Sequence, residues 1–484
     1  MEVSNLKQKT AKGLLWGGIG NAALQILGVV LGIFLARILS PNDYGLIGML
    51  AIFTGIAATI INCGFSTALT NIKEATQKDY DAVFWFTVFI GLFLYISLFF
   101  CAPAIARFYG QPELVAISRI LFISFLLGGI GTVSYTVMFK QLMVKRITII
   151  NVSSVFISGT TGILLAINGF TYWALVIQNV LFVSLTSLLY CVFSPWRPTF
   201  HINFNPLKKL FSFSIKLFIT NIFVQINQNF LSVLLGKLYN ATQLGYYTQG
   251  QKWMNMGNMF VAGMINSIAQ PVLVQVNEDK KRQLIVFRKM IRFGAFVSFP
   301  LMLGLAFVGE EFIVITIGEK WLPSVPFLQL FCIWGAFVYL WTLFSNLFFT
   351  HGKSNLFMYL MIATGLLQLI VVLSLHSWGI LQMVTAYLSI NFISLLIGQY
   401  YIHRLIGLRL RSLLKDILPY LAITVACLFI AWIVTKNIEN IYWLFVAKVI
   451  ISGFLYTFVM KISRSVIFKE SMDYLMTILW KKKQ

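Results

Sequence analysis

The sequence predicts an all-helical protein that crosses a membrane many times, and three observations carry that prediction. Apolar residues make up 59% of the 484 positions and charged residues only 11%, where soluble domains carry about a quarter charged. The apolar residues come in runs of roughly 20, the length a helix needs to cross a hydrocarbon layer of about 30 Å. Lysine and arginine collect in every second gap between those runs. Helix is the expected conformation, because a lipid-facing backbone must satisfy its own hydrogen bonds and these runs are too long and uniform for barrel strands.

Fourteen runs are read as spans, at about 13–36, 44–69, 82–106, 114–139, 147–168, 171–193, 210–236, 245–274, 293–317, 324–349, 355–376, 378–402, 417–435 and 440–460. The first follows Lys7, Lys9 and Lys12, as a signal peptide would. It is too long for an h-region and has no clear A-x-A site, so it reads as an uncleaved span. The gap between the first two spans is "LARILSPNDYG": Pro41 and Asn42 break the helix and Asp43 is expected to cap the next one. Asn205 and Pro206 read as another helix start, with Asn205 as cap and Pro206 in the first position. After the last span, Ser465 to Gln484 mixes apolar and charged residues as an amphipathic surface helix does.

Counting basic residues in alternate gaps gives 28 on one side and 5 on the other, with four inside spans. The five are Arg37, Arg107, Lys237, Lys320 and Lys436. The positive-inside rule then places both termini in the cytoplasm. The net charge of +22 is therefore mostly topological. It implies attraction to anionic membrane lipids rather than to nucleic acid. No outward gap exceeds about eight residues, which leaves no room for an external catalytic domain.

The first gap has an echo. "LARILSPNDYG" at 35–45 aligns with "LGKLYNATQLG" at 235–245, pairing Arg37 with Lys237 and Gly45 with Gly245. A weaker echo pairs 118–127 with 328–337. A six-span period predicts a six-helix bundle over 1–200, a parallel repeat of it over 201–403, and two extra spans with the tail over 404–484. Parallel repeats of this kind place a binding site between the halves.

Polar residues inside spans are the candidates for that site, since charges there are costly and usually face a cavity. They are Asn21 and Gln25 in the first span, Arg119 in the fourth, Lys216, Asn221, Gln225 and Gln228 in the seventh, and Gln249, Lys252 and Asn255 in the eighth. Snorkelling lysines and amides that bond across helices are the plain alternative for each one alone. Arg37 and Lys237 stand apart as cations of the outer rim, serving either substrate exit or lipid headgroups. The only acids within an apolar run are Glu310 and Glu311, near its outward end. A cationic, amide-lined cavity suits an anionic ligand such as a phosphate or pyrophosphate.

GxSxG, HExxH and Walker A patterns are missing. The five cysteines are scattered through the apolar runs, and the four histidines lie on both sides of the membrane. No metal, no other cofactor and no enzyme activity is expected.

The segments "LARILSPNDYGLIGML", "GFSTALTN" with "DYDAVFWF", "FYGQPEL", "LGYYTQGQKWMN", "GEKWLPSVPFLQL" and "FTHGKSN" resemble the bacterial polysaccharide transporters, the O-antigen repeat-unit flippases of lipopolysaccharide biosynthesis, within the multidrug/oligosaccharidyl-lipid/polysaccharide flippase superfamily. The likeness runs from about Leu14 to Arg404. It implies two six-helix bundles arranged as a V, with two added helices. It also implies export of an undecaprenyl-pyrophosphate-linked oligosaccharide across the bacterial inner membrane by alternating access, alongside polysaccharide polymerase machinery. Relatives often carry an arginine early in the eighth span, where this chain has Gln249 and then Lys252. Two other readings remain at this point. One is an ion-coupled drug or metabolite antiporter of the same superfamily. The other is a membrane glycan polymerase or ligase, which would need a larger outward loop.

Overall fold

The computed structural model describes residues 2–62, 66, 69–70, 72, 75–200, 202–266, 269–463, 465, 467–470 and 472–473, and among them every regular element is a helix. The contacts divide the chain into two compact units, Met1–Gly245 and Tyr246–Gln484.

The first unit holds α1 (Glu2–Ile38), α2 (Pro41–Asn62), α3 (Gln77–Tyr109), α4 (Leu114–Leu121), α5 (Ile123–Lys140), α6 (Val144–Ile167), α7 (Thr171–Phe193), α8 (Asn205–Leu238) and the first turn of α9 (Ala241–Asn266). Here α6 packs on α1 and α7, α3 on α5, and α8 on α2 and α3. Helix ends follow local chemistry. Thr76 and Asp79 form a capping box at the start of α3, and Gly110, with φ of 68°, ends it in the left-handed conformation. Close helix packing uses small residues: a methyl on Gly129 would lie 2.6 Å from the carbonyl oxygen of Thr87.

The second unit continues α9 and adds α10 (Ala269–Gln275), α11 (Lys280–Phe307), α12 (Gly309–Ile317), α13 (Val325–Thr350), α14 (Ser354–Ser374), α15 (Ile380–Ile406), α16 (Leu410–Thr435) and α17 (Ile441–Ile462). Its core lies along α11 and α13, where Phe287, Phe299, Phe331, Tyr339, Phe344 and Phe348 are almost fully buried. Asp279 caps α11 by accepting from the N–H groups of Lys281 and Arg282, and Asn440 caps α17 in the same way. Ile467 of the tail is buried, and Phe468 meets Phe296 edge-on.

Three sequence readings change. Among the described residues, twelve helical stretches are long and apolar enough to span a membrane. Helices α8 and α9 lie at the places expected for the seventh and eighth spans. The ninth predicted span is broken at Val308, so Glu310 and Glu311 open a separate helix, α12. Asp43 does not cap α2 alone: Ser40 precedes the helix, its Oγ accepts from Asp43 N–H at 3.3 Å, and the Asp43 carboxylate accepts from Ser40 N–H at 2.8 Å. Asn205 is the first residue of α8 rather than its cap, with Pro206 following in the first turn.

Candidate functional site

The candidate residues are described within each unit. In the first, α8 offers amides one and two turns apart. Asn221 and Gln228 are exposed, while Gln225 and Asn229 are half-buried. Asn229 Nδ2 donates to the backbone oxygen of Gln225 at 3.0 Å and to its Oε1 at 3.3 Å. Gln225 fits against α2 because Gly55 has no side chain; a methyl there would lie 2.5 Å from Gln225 Oε1. The Lys216 side chain lies outside the described residues. Asn21 is exposed on α1 and Gln25 is half-buried one turn on. Helix α1 packs on α6, whereas α8 packs on α2 and α3. These amides therefore sit on two separate helix pairs.

Arg119, at the end of α4, holds its guanidinium 4.4 Å from the centre of the Phe99 ring. Its Nε is buried without a partner. Such a stacked cation keeps donors available for an anion. The two rim cations differ in setting from Arg119. Arg37 is exposed. Lys237 Nζ donates to the Phe108 carbonyl at 2.6 Å, in the last turn of α3, and lies 5.0 Å from the Phe108 ring centre. A cation at a helix C-terminus is favoured by the helix dipole.

In the second unit, α9 presents Gln249 and Trp253 one turn apart. Gln249 is 1% exposed and its Nε2 has no partner; Trp253 Nε1 is likewise buried and unpartnered. Lys252 is half-buried, 5.8 Å from the Trp253 ring centre, and Asn255 is exposed. Unsatisfied buried donors are rare and call for an explanation such as a ligand or water. This stretch has donors and a cation but no carboxylate between Ala241 and Asn266. Such a set can hold phosphate oxygens and sugar hydroxyls.

Sequence reasoning missed the charge pairs of the second unit. Lys448 on α17 forms a buried salt bridge with Glu311 on α12, their side chains 13% and 7% exposed. Asp416, buried in α16, accepts from Arg288 Nε at 2.7 Å and Nη2 at 3.1 Å, and Arg292 Nε lies 3.7 Å away. Asp416 lies within the candidate span Leu410–Thr435, which corrects the reading that only Glu310 and Glu311 lie in an apolar run. The signal was present for Glu311 and Lys448, an acid and a base each placed inside an apolar run. Beside that pair runs an apolar groove of about 390 Å³ between α11, α16 and α17, lined by Leu305, Val308, Cys427, Val449 and Tyr456 among others. Among the described residues no group of three or more His, Cys, Asp or Glu could hold a metal ion.

Helices of this arrangement define the class: a polytopic membrane protein. The structure superimposes on a lipid II flippase, MurJ, in an inward closed conformation, with a TM-score of 0.75 over 94% of this chain and all of that one, at 15% identity. Residues 34–326, more than half of the chain, match the model of the polysaccharide biosynthesis protein family, and the chain belongs to that family. It is similar to the teichuronic acid biosynthesis protein TuaB of Bacillus subtilis, 26% identical over 90% of this chain and 91% of that one. It is also similar to the lipopolysaccharide biosynthesis protein WzxC of Escherichia coli, 24% identical over 68% of each chain.

Proposed function

We propose that this protein carries an undecaprenyl-pyrophosphate-linked oligosaccharide from the inner to the outer leaflet of a bacterial inner membrane. It acts by alternating access and not as an enzyme. The observation that carries the reading is the chemistry of α8 and α9. Helices α8 and α9 of a membrane protein bear lysines and a concentration of amides, and in α9 Gln249 Nε2 and Trp253 Nε1 are buried without a partner. A membrane-embedded polar helix that lines no polar ligand would be a pure cost.

Lys216, Lys252 and Arg119 attract the pyrophosphate; Asn21, Gln25, Asn221, Gln225, Gln228, Gln249 and Asn255 bond sugar hydroxyls. The isoprenoid tail, too long to enter an aqueous cavity, lies in the apolar groove beside α16 and α17. In this reading the chain has fourteen spans, as two six-helix repeats over 1–200 and 201–403 with 404–484 appended. Both termini are cytoplasmic by the charge bias. Membership of a polysaccharide biosynthesis family supports the substrate class.

The test is export. Deleting the protein should leave lipid-linked oligosaccharide on the inner leaflet and remove surface glycan. The pair Lys216→Ala and Lys252→Ala should do the same with the protein still present in the membrane. Unchanged surface glycan in the double variant would remove the pyrophosphate role from these lysines.

A further inference from the structure

A second apolar space in the second unit lies where the tail of the chain folds back. It measures about 290 Å³, and its walls come from the last turn of α9, from α10, α11 and α13, and from the tail. All eleven residues that line it are apolar except Lys289 and Glu470.

The tail is held over this space at several points. Ile467 is 4% exposed and forms part of the wall. Phe468 meets Phe296 with ring centres 6.2 Å apart, and Tyr420 Oη and Ser465 Oγ lie 3.4 Å apart. Glu470 is three residues past Ile467, on the same face of a helical turn. Its two carboxylate oxygens lie 2.9 and 2.7 Å from Lys289 Nζ. One face of the tail thus sets an apolar lid beside an acid. Helix α11 answers with Val286, Met290 and Phe293 beside a base.

The place along α11 limits what can enter. Between Lys280 and Arg292 this helix carries six bases, and from Phe293 to Phe307 it carries no charge. That change marks the border between headgroups and hydrocarbon, on the side that the charge bias places in the cytoplasm. The pocket spans the border, with Phe293 beyond it and Lys289 one turn before. Walls this apolar offer a water molecule too few partners to hold it, and they suit a hydrocarbon chain. The ion pair at the edge suits a head with charges of both signs. Lys289 and Glu470 are 54% and 47% exposed, and a pair so exposed gains little over water and can turn to new partners. A phosphate accepts from the lysine ammonium, and a primary amine donates to the carboxylate. A head with phosphate alone would leave Glu470 facing a like charge, and a quaternary amine has no N–H to give it.

We propose that this pocket binds one inner-leaflet phospholipid whose head carries a phosphate and a primary amine, of the phosphatidylethanolamine type. An acyl chain fills the space under Ile467, the phosphate takes Lys289 and the amine takes Glu470. The lipid bridges α11 and the tail, so docking of the tail depends on the lipid around it. The site is separate from the groove beside α16 and α17, and it does not depend on what the protein transports.

The experiment uses the full chain purified in detergent and native mass spectrometry. Dioleoyl phosphatidylethanolamine, phosphatidylcholine or phosphatidylglycerol is added in equal amount. The parent should retain one phosphatidylethanolamine several-fold more than either other lipid. Glu470→Gln should bring that retention down to the level of phosphatidylcholine, and Lys289→Gln should lower all three. Both residues are half-exposed, so these variants leave the core intact. Val272→Phe, which fills the pocket from α10, should lose the adduct. Melting temperature is recorded in nanodiscs of phosphatidylethanolamine and of phosphatidylcholine. The parent should melt higher in the first, and Glu470→Gln should melt alike in both. Equal retention of the three lipids by the parent overturns the proposal, as does a preference that survives Glu470→Gln. Selective retention of phosphatidylglycerol shows an anionic head instead and overturns it too. An adduct that persists in folded Val272→Phe lies elsewhere and removes the lipid from this pocket. None of these outcomes bears on the transport proposal, which is read from surface glycan.

Discussion

Two regions of the molecule solve one problem differently. At the start of α2 and α9, within the first unit, contact is made by removing side chains: Gly45 and Gly245 bring backbone onto backbone. Along α11, α12, α16 and α17, within the second unit, contact is made by charges and rings. There Glu311 pairs with Lys448, Asp416 with Arg288 and Arg292, and Tyr456 Oη donates to the Phe296 carbonyl at 2.8 Å. A glycine crossing depends on backbone fit, because a Cβ at either glycine would meet a carbonyl oxygen. A buried ion pair is expensive to open, because each charge must then face a low-dielectric medium alone. The first arrangement is sensitive to side-chain size and the second to charge.

The largest expected effect comes from breaking the charged seam. Glu311→Ala leaves the Lys448 ammonium buried, with the Phe307 ring 4.7 Å away as its nearest compensation. It should lower unfolding free energy in detergent by about 3 kcal/mol. Replacing both partners, Glu311→Gln with Lys448→Met, should recover most of that loss, since neither variant side chain is ionised. Equal melting of the single variant and the parent would show that the seam does not depend on the pair.

The glycine side of the comparison is sharpened by a control of opposite sign. Gly28→Ala on α1 meets nothing within 4 Å and removes a flexible residue from a helix interior. It should raise stability by about 0.5–1 kcal/mol, which thermal melting would read as a small upward shift. An equal gain from Gly45→Ala would contradict the close approach at that crossing.

The smallest effect is a pH dependence at the end of α13. His351 lies just beyond the helix and its Nε2 is 3.0 Å from Gln283 Oε1. Gln283 already donates through its Nε2 to Asn277 Oδ1 and the Leu273 carbonyl, so His351 Nε2–H is the donor. Burial, then the nearby Lys280 and Lys353, push the His351 pKa below its usual 6.5. The unfolded chain therefore takes up this proton first as pH falls. Stability should decline below pH about 6.5 until the folded-state pKa is passed, and level off beneath it. His351→Gln should flatten that part of a melting-temperature profile; an unchanged profile would assign the decline to other groups.

Much of the fold was legible in the sequence, because hydrocarbon imposes one rule on every run. A stretch of about 20 apolar residues must become a helix to satisfy its backbone, and the described helices follow the predicted runs closely from α1 to α17. The limits appear where one residue carries two meanings. Val308 reads as one more apolar residue, yet the helix stops there and Glu311 gains a helix N-terminus and a lysine partner. Helices α8 and α9 lie where the apolar runs placed them, and the amides within them stood out in the sequence as candidates.

The sequence by itself determined the class of protein, the position of its helices and the echo between 35–45 and 235–245. Each depends on composition, periodicity or a short-range pattern that a single chain displays openly. Only the tertiary structure decided that Gly45 rests on Ala241 and Gly245 on Pro41. It also paired Glu311 with Lys448, and Asp416 with two arginines. These partners are separated by more than a hundred residues, and no local periodicity encodes which helix will lie beside which. An echo in sequence says that two turns are alike; only packing shows that they touch.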